Sequence, residues 1–477
     1  MSTSPLIADP VIFALVSVSA ACLVLGAFVA IAWRRPALVL LCFFVFFAFT
    51  WRLCSVVYID VFGPIFSEQL ERCIGPGISA LPMALAQGIL ITVFLASFRP
   101  VRLQALFTDR SSALDSRASG GLVDLSDAAL WIAWFYVTAL WLELLVQGHI
   151  PLFAGMERYD YSRLYGGPLH RLLLDWGPML TFQLGVFLVA PTFRGHSFDW
   201  RFGYLFVGLI LYLFLVGHRF SSLYAYSSFL AMPIGVAILS HPALSGRPLI
   251  SGAVVRCLAL AGAVFGALIV GAVIYSYTVV RGFAGAELFT KVSQRLLVQQ
   301  GEMWWMTYER VFLQDRWNGV HAAYKLLVDP YDPHRNSTMQ LLMEAALPQM
   351  RAHFILDQGS AYTGGWPEVF FELGGPIGGF ALVAISAVIF SEFMFLLTRC
   401  LVHERFATCF FLTPVLYALQ ICIASGMVNS FVQLTFLLKV VVALVVYVAE
   451  ERWRSDILGV LTSTRPPYQT LMQKESG

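Results

Sequence analysis

The chain has 477 residues, of which 58% are hydrophobic and 13% charged, with a formal net charge of +2 and a mean hydropathy of +0.73. A soluble domain of this length does not carry so much apolar sequence, and a balance so close to neutral gives no sign of a nucleic-acid partner. The composition specifies an all-α polytopic membrane protein.

A spanning helix needs roughly 20 apolar residues. Eleven stretches qualify, at 10–32, 37–58, 77–98, 126–147, 174–193, 202–217, 220–240, 254–277, 374–397, 407–426 and 430–449. The first is too long for a cleavable signal and has no basic leader, so it reads as a spanning helix. The sixth is short and runs into Gly217-His218-Arg219, which makes the sixth and seventh a tight hairpin or a pair of broken helices. Most cysteines, such as Cys22, Cys42, Cys257, Cys409 and Cys422, sit inside apolar runs without a CxxC pair, as small packing residues do.

Lysine and arginine set the orientation. With the N-terminus outside, the inner segments hold Arg34, Arg35, Arg99, Arg102, Arg110, Arg117, Arg194, Arg201, Arg247, Arg256 and the C-terminal basic residues. The short outer loops hold only Arg72, Arg158, Arg163, Arg171 and Arg219. The expected organisation is a membrane region over 1–280, an outer helical loop over 281–365 between spans eight and nine, a second membrane region over 366–450 and an inner tail over 451–477. In a bacterium the outer side is the periplasm. In a secretory membrane it would be the lumen, the one setting in which the sequon Asn336-Ser337-Thr338 could matter.

The first outer constellation is GHIPLFAGMERYDYSRLYGGPLHR, Gly148 to Arg171. Three arginines on the side that disfavours them need a reason. Guanidinium forks match phosphate oxygens, and Tyr159, Tyr161 and Tyr165 offer flat faces to sugars. Snorkelling of Arg158, Arg163 and Arg171 to headgroups is the plainer alternative. Arg219 in GHRFSSL and Arg281 in YSYTVVRG would join the same face, or serve as interfacial anchors. Within the outer loop, Ala286–Phe312 is periodic like a helix, and Met303-Trp304-Trp305-Met306 suits a membrane–water interface. Short helices are predicted over 319–328 and 339–351, around a turn-rich break at 329–334.

The collar GGWPEVFFELGGPIGGF, Gly364 to Phe380, puts Pro367 and Glu368 at a helix start. Glu372 lies one turn on, where two like charges repel by a few tenths of a kcal/mol. A plain structural helix would avoid that pairing, whereas a site needing a proton acceptor beside cations would tolerate it. Arg351, His353, Asp357 and Tyr362 lie nearby in sequence. Inside the spans Arg52, Glu143 and Lys439 are costly, and Lys439 is expected to pair with a buried acid or a carbonyl. There is no Walker loop, HExxH, GxSxG or Cys/His metal spacing, and the early outer loop has no DxD-type acidic pair, only Glu68 and Glu71 on either side of a leucine. No metal or cofactor is expected.

Three segments in order, GHIPLF followed by arginines, GHRFSSL, and SAYTGGWPEVFFELGGPIGGF, resemble the Wzy-type family of bacterial O-antigen or oligosaccharide repeat-unit polymerases. Phe370-Phe371 stands where that family usually has a tyrosine, and Glu372 is extra. The resemblance implies a metal-independent glycosyltransferase acting on polyprenyl-diphosphate-linked oligosaccharides at the periplasmic face. It implies that Arg158, Arg163, Arg219 and Arg281 hold the donor diphosphate, with Arg171, Tyr159, Tyr161 and Arg351 around the substrate. Glu368 would be the acceptor base or its orienter, Glu372 its neighbour, and His353 the rival base. The implied partners are lipid-linked oligosaccharides, membrane lipid and a chain-length-regulating membrane protein. An O-antigen ligase sharing the arginines is the alternative enzyme. A flippase of lipid-linked glycans is the alternative of another class.

Overall fold

A computed structural model describes residues 10–114, 123–154, 156, 158–194, 196–218, 220–245, 267, 270–271, 274–275, 277–278, 282–328, 338–357, 362, 364–426 and 428–463. The described chain is almost wholly helical. Among the described residues, eight helices are long and apolar enough to cross a membrane. The predicted span at 254–277 lies almost entirely outside the described residues, as does the break at 329–334.

Helix α1 covers Pro10–Arg34, and a short α2, Pro36–Leu41, leads into α3, Phe43–Phe62. The stretch predicted as one span from 37 to 58 is thus two helical pieces parted at Cys42. An antiparallel hairpin follows, β1 Ile65–Ser67 with β2 Arg72–Ile74. Then come α4 (Ala80–Ser97), α5 (Pro100–Leu114) and α6 (Val123–Gln147). Two short helices, α7 (Pro151–Ala154) and α8 (Arg158–Leu164), occupy the next loop. Helices α9 (Pro168–Val189), α10 (Trp200–Leu215) and α11 (Phe220–Ser245) follow.

The region predicted as an outer helical loop contains α12 (Gly285–Ser293), α13 (Glu302–Thr307), α14 (Gly319–Val328), α15 (Thr338–Ala346) and α16 (Gln349–Asp357). π-helical turns at Gln294–Val298 and Tyr308–Leu313 interrupt its first half. The chain ends with α17 (Glu368–Val402), α18 (Phe406–Ser425) and α19 (Leu434–Ser463).

Long apolar side chains stand outward on α1, α6 and α19, among them Leu23, Trp131, Phe135 and Leu438. The inner faces of α1, α3, α4, α9, α11, α17 and α18 build one continuous core, including Phe49, Phe94, Phe182, Phe229 and Phe390. A helix apolar all round is what a lipid solvent requires, and there the inner contacts are favoured by close packing more than by water release. Lys439 on α19 is exposed on that outward face, not buried against an acid as expected.

Contacts fix the relative directions. The Tyr224 ring centroid lies 4.9 Å from that of Phe43 and 4.2 Å from that of Phe47, and the backbone at Gly235 lies against Ala37 and Leu41. Helix α11 therefore runs antiparallel to α2–α3. Tyr226 donates to the Leu173 carbonyl at 3.3 Å, and Gly185 lies against Leu230 and Pro233, so α9 runs parallel to α11. The start of α9, with α7 and α8, is consequently at the end of the bundle toward which α3 runs. The hairpin is at that end. The opposite end is marked by Arg102 of α5, which forks onto Glu392 of α17 at 2.7 and 2.9 Å.

Candidate functional site

The collar is built from both sides of the sequence. Trp366 stacks on Phe49 of α3 with ring centroids 4.7 Å apart, and its indole donates to Ser386 Oγ at 3.0 Å. One guanidinium nitrogen of Arg52 donates to the Trp366 carbonyl and the other to Glu368 Oε1. Both charged side chains are shielded, with Arg52 4% and Glu368 0% exposed. Pro367 is the N-cap of α17 and Glu368 its first residue. The Glu368 carboxylate thus meets a cation from another helix and makes no capping bond of its own.

Glu372, also 0% exposed, has a different partner. Arg310 donates to it through Nε at 3.2 Å, and the Asn318 backbone N–H adds a bond at 3.3 Å. The expected repulsion between the two carboxylates is removed because each carries its own arginine, Arg52 from α3 and Arg310 from the π-helical turn after α13. Neither carboxylate is open as a base in this arrangement. The helix then breaks at Gly375, whose φ of +69° is accessible to glycine, and Pro376 starts the long span. A Cβ at Gly375 would come within 2.9 Å of the Trp317 ring.

The helical cap, 285–328 and 338–357, is latched onto the hairpin and α3. Trp51 and Ser55 of α3 donate to the Leu296 and Leu297 carbonyls at 2.8 Å each. The π-helical turn frees these carbonyls from the usual ladder. At the hairpin tip Glu68 pairs with Lys291 at 2.9 Å, Glu71 with Arg351, and Arg72 with Glu309. Arg351 also donates to the Glu68 carbonyl at 2.9 Å and to the Tyr362 hydroxyl at 3.3 Å. Arg351 is therefore engaged in holding the cap. Trp304 is fully buried and donates to the Ser79 carbonyl at 2.7 Å. The Met303–Met306 patch, expected at the membrane interface, is instead buried, because its large apolar surfaces fill the seam between cap and bundle. His353 lies half-buried on α16.

Two further acids were not singled out by sequence. Glu302 is 1% exposed and accepts from Ser67 Oγ at 2.5 Å, with Oε1 lacking a hydrogen-bond partner. Burial pushes its carboxyl up to about 8, against the Ser67 hydrogen bond and with help from nearby Glu68. Asp60 accepts from Ser17 Oγ and Ser79 Oγ at 2.7 Å each and from Ala80 N–H at 2.8 Å. It caps α4 from the end of α3 and ties in α1. The only sequence signal for these acids was a lone carboxylate beside apolar residues.

The second constellation surrounds the start of α9. Glu143 of α6 accepts from the Leu169 and His170 backbone N–H groups at 3.1 and 3.3 Å, a carboxylate set on a helix N-terminus. His170 is buried, hydrogen-bonded through Nδ1 to the Tyr212 hydroxyl and through Nε2 to Ser162 Oγ, both at 3.0 Å. Tyr161 is 0% exposed and meets the His170 ring edge-on at 5.2 Å. Its ring supports His170 and is not open to a sugar. Arg163 and Arg171 are exposed, with no ion pair to a described residue. Of Arg158 and Tyr159 only the backbone is described, and Arg219 and Arg281 lie outside the described residues. Among the described residues no three His, Cys, Asp or Glu side chains are grouped to hold a metal ion.

One comparison with known proteins finds a relation. The model of a family of unknown function (DUF6418) matches residues 332–440. That stretch holds Arg351, His353, Glu368 and Glu372, but not their partners Arg52, Arg310 and Glu71. No curated protein and no solved structure matches the chain.

Proposed function

We propose that this chain is a metal-independent glycosyltransferase that joins polyprenyl-diphosphate-linked oligosaccharide repeat units at the outer face of a bacterial inner membrane. In this reading the chain crosses the membrane eleven times with its N-terminus outside. The observation that carries the proposal is the exposure of Arg163 and Arg171 in a short loop at the same end of the bundle as the hairpin and the latched cap. Charged guanidiniums without carboxylate partners among the described residues suit an anionic diphosphate, and the apolar helices beside them suit its lipid. Arg158, Arg219 and Arg281 would complete the cluster. Glu368 and Glu372 then act through Arg52 and Arg310, holding the collar in shape.

The test is the surface-glycan profile of a deletion strain, resolved by length and complemented with the chain. Collapse of the ladder to one repeat unit, restored by the wild-type chain and not by Arg163→Ala/Arg171→Ala, is the expected result. Long lipid-linked polymer that never reaches its final acceptor would make the protein a ligase instead. Repeat units trapped on the inner side would make it a flippase, and an unchanged ladder would remove it from this chemistry.

A further inference from the structure

We infer that Ser162 and His170 form a proton relay that takes the proton from the acceptor hydroxyl; the inference rests on the glycosyl-transfer reading above. A transfer without a metal needs a proton acceptor within reach of the substrate. The collar carboxylates do not supply one, since both are fully buried and held by arginines. Ser162 is half-buried on α8, next to exposed Arg163. Its Oγ sits 3.0 Å from His170 Nε2, and His170 Nδ1 sits 3.0 Å from the Tyr212 hydroxyl. A hydroxyl, a base and a group that orients the base are thus in line, the arrangement that activates a hydroxyl.

The relay uses the tautomer in which Nδ1–H donates to the Tyr212 hydroxyl and Nε2 keeps its lone pair toward Ser162. Several charged or titratable groups surround the ring, among them Tyr136 of α6, whose hydroxyl donates to the Leu169 carbonyl at 3.1 Å. Glu143 from α6 accepts from the His170 backbone N–H at 3.3 Å. Tyr161 from α8 and His218 beyond α10 flank the ring, His218 at 6.4 Å between centroids. Arg171 is the next residue on α9 and is exposed. The loop reaches this packing only because Gly166 and Gly167 lack side chains, since a Cβ at Gly167 would overlap the Glu143 carboxylate.

In the step, the acceptor O–H proton passes to Ser162 Oγ while the Ser162 proton moves to His170 Nε2. The acceptor oxygen forms its bond to the donor anomeric carbon as the bond from that carbon to the diphosphate oxygen breaks. The electron pair leaves on the diphosphate. His170 returns its proton through Ser162 to the departing diphosphate or to water, which restores the starting state.

The experiment uses the full chain, in the complemented deletion strain and purified in nanodiscs with lipid-linked repeat units. Ser162→Ala is expected to slow transfer about 100-fold or more, the usual span for a lost general base. Tyr212→Phe is expected to lower kcat with KM held and to shift the acid limb of the pH–rate profile, and Ser162→Thr to restore part of the rate. A purely structural role would change folding yield and leave the pH profile of the folded protein unmoved. Wild-type rates and pH profiles in Ser162→Ala and Tyr212→Phe overturn the relay alone. A wild-type chain that fails to restore the ladder overturns the transfer reading, and the relay with it.

Discussion

Arg52 and Glu368 form a buried ion pair at the heart of the collar, and buried pairs are asymmetric in their energetics. Removing one member strands the other charge at a cost of about 3–5 kcal/mol, whereas replacing both with apolar groups is often close to neutral. Arg52→Ala is therefore expected to lower the melting temperature in detergent sharply, and Arg52→Met/Glu368→Leu to recover most of the loss. Equal losses in the single and double variants would show that the pair is not the cause. Glu302 offers a pH-dependent counterpart outside the spans. Its carboxyl sits at about 8 in the folded cap against an ordinary value of 4.5. The folded state therefore holds a proton that the unfolded state has lost between those values. The stabilising contribution is complete below about 4.5 and disappears as pH rises through about 8, since each shifted unit is worth ~1.4 kcal/mol. Hydrogen exchange in 285–313 should quicken from pH 6 to pH 8.5 beyond the intrinsic chemical change, and Glu302→Gln should remove that excess.

Among the elements, α17 departs most from its predicted form. Its first turns, carrying both glutamates, are set off from the long span at Gly375, and within those turns each carboxylate faces a different arginine. Gly375→Ala combines a left-handed backbone with a Cβ pressed on Trp317, and should destabilise by about 1–3 kcal/mol in thermal unfolding. Trp317→Leu should return part of that loss by removing the contact. Eight membrane-length helices were legible because apolar runs of that length have few other stable uses, and the cap helix expected over 319–328 is α14, whereas the one expected over 339–351 is two helices, α15 and α16. The collar's chemistry was not. Glu368 and Arg52 are 316 residues apart, and no local pattern distinguishes a carboxylate awaiting substrate from one matched to a distant guanidinium. Arg310 gave no signal at all, being one more basic residue in a helical stretch. The burial of Trp304 was missed because an amphipathic patch looks the same whether lipid or protein covers it.

At the scale of the molecule, the cap is bound to the bundle by two kinds of contact with different responses. The Glu68–Lys291, Glu71–Arg351 and Arg72–Glu309 pairs are partly exposed and weaken with salt, while Trp304, Met303 and Val369 are buried and do not. Raising salt should thus increase protease cleavage near the hairpin tip without releasing the cap, and Glu71→Lys should reproduce the salt effect at low ionic strength. Release of the entire cap by salt would show that the apolar seam contributes little. The long separation of Arg52 from Glu368 also has a consequence for synthesis. Arg52 enters the bilayer with the early helices, hundreds of residues before the ribosome supplies its carboxylate. Until then the nascent bundle carries an uncompensated cation, which a chaperone, an open translocation channel or a tilt toward the headgroups must accommodate. Chains truncated just before Glu368 should therefore turn over faster in the cell than chains ending after Val402, and Arg52→Met should narrow that difference.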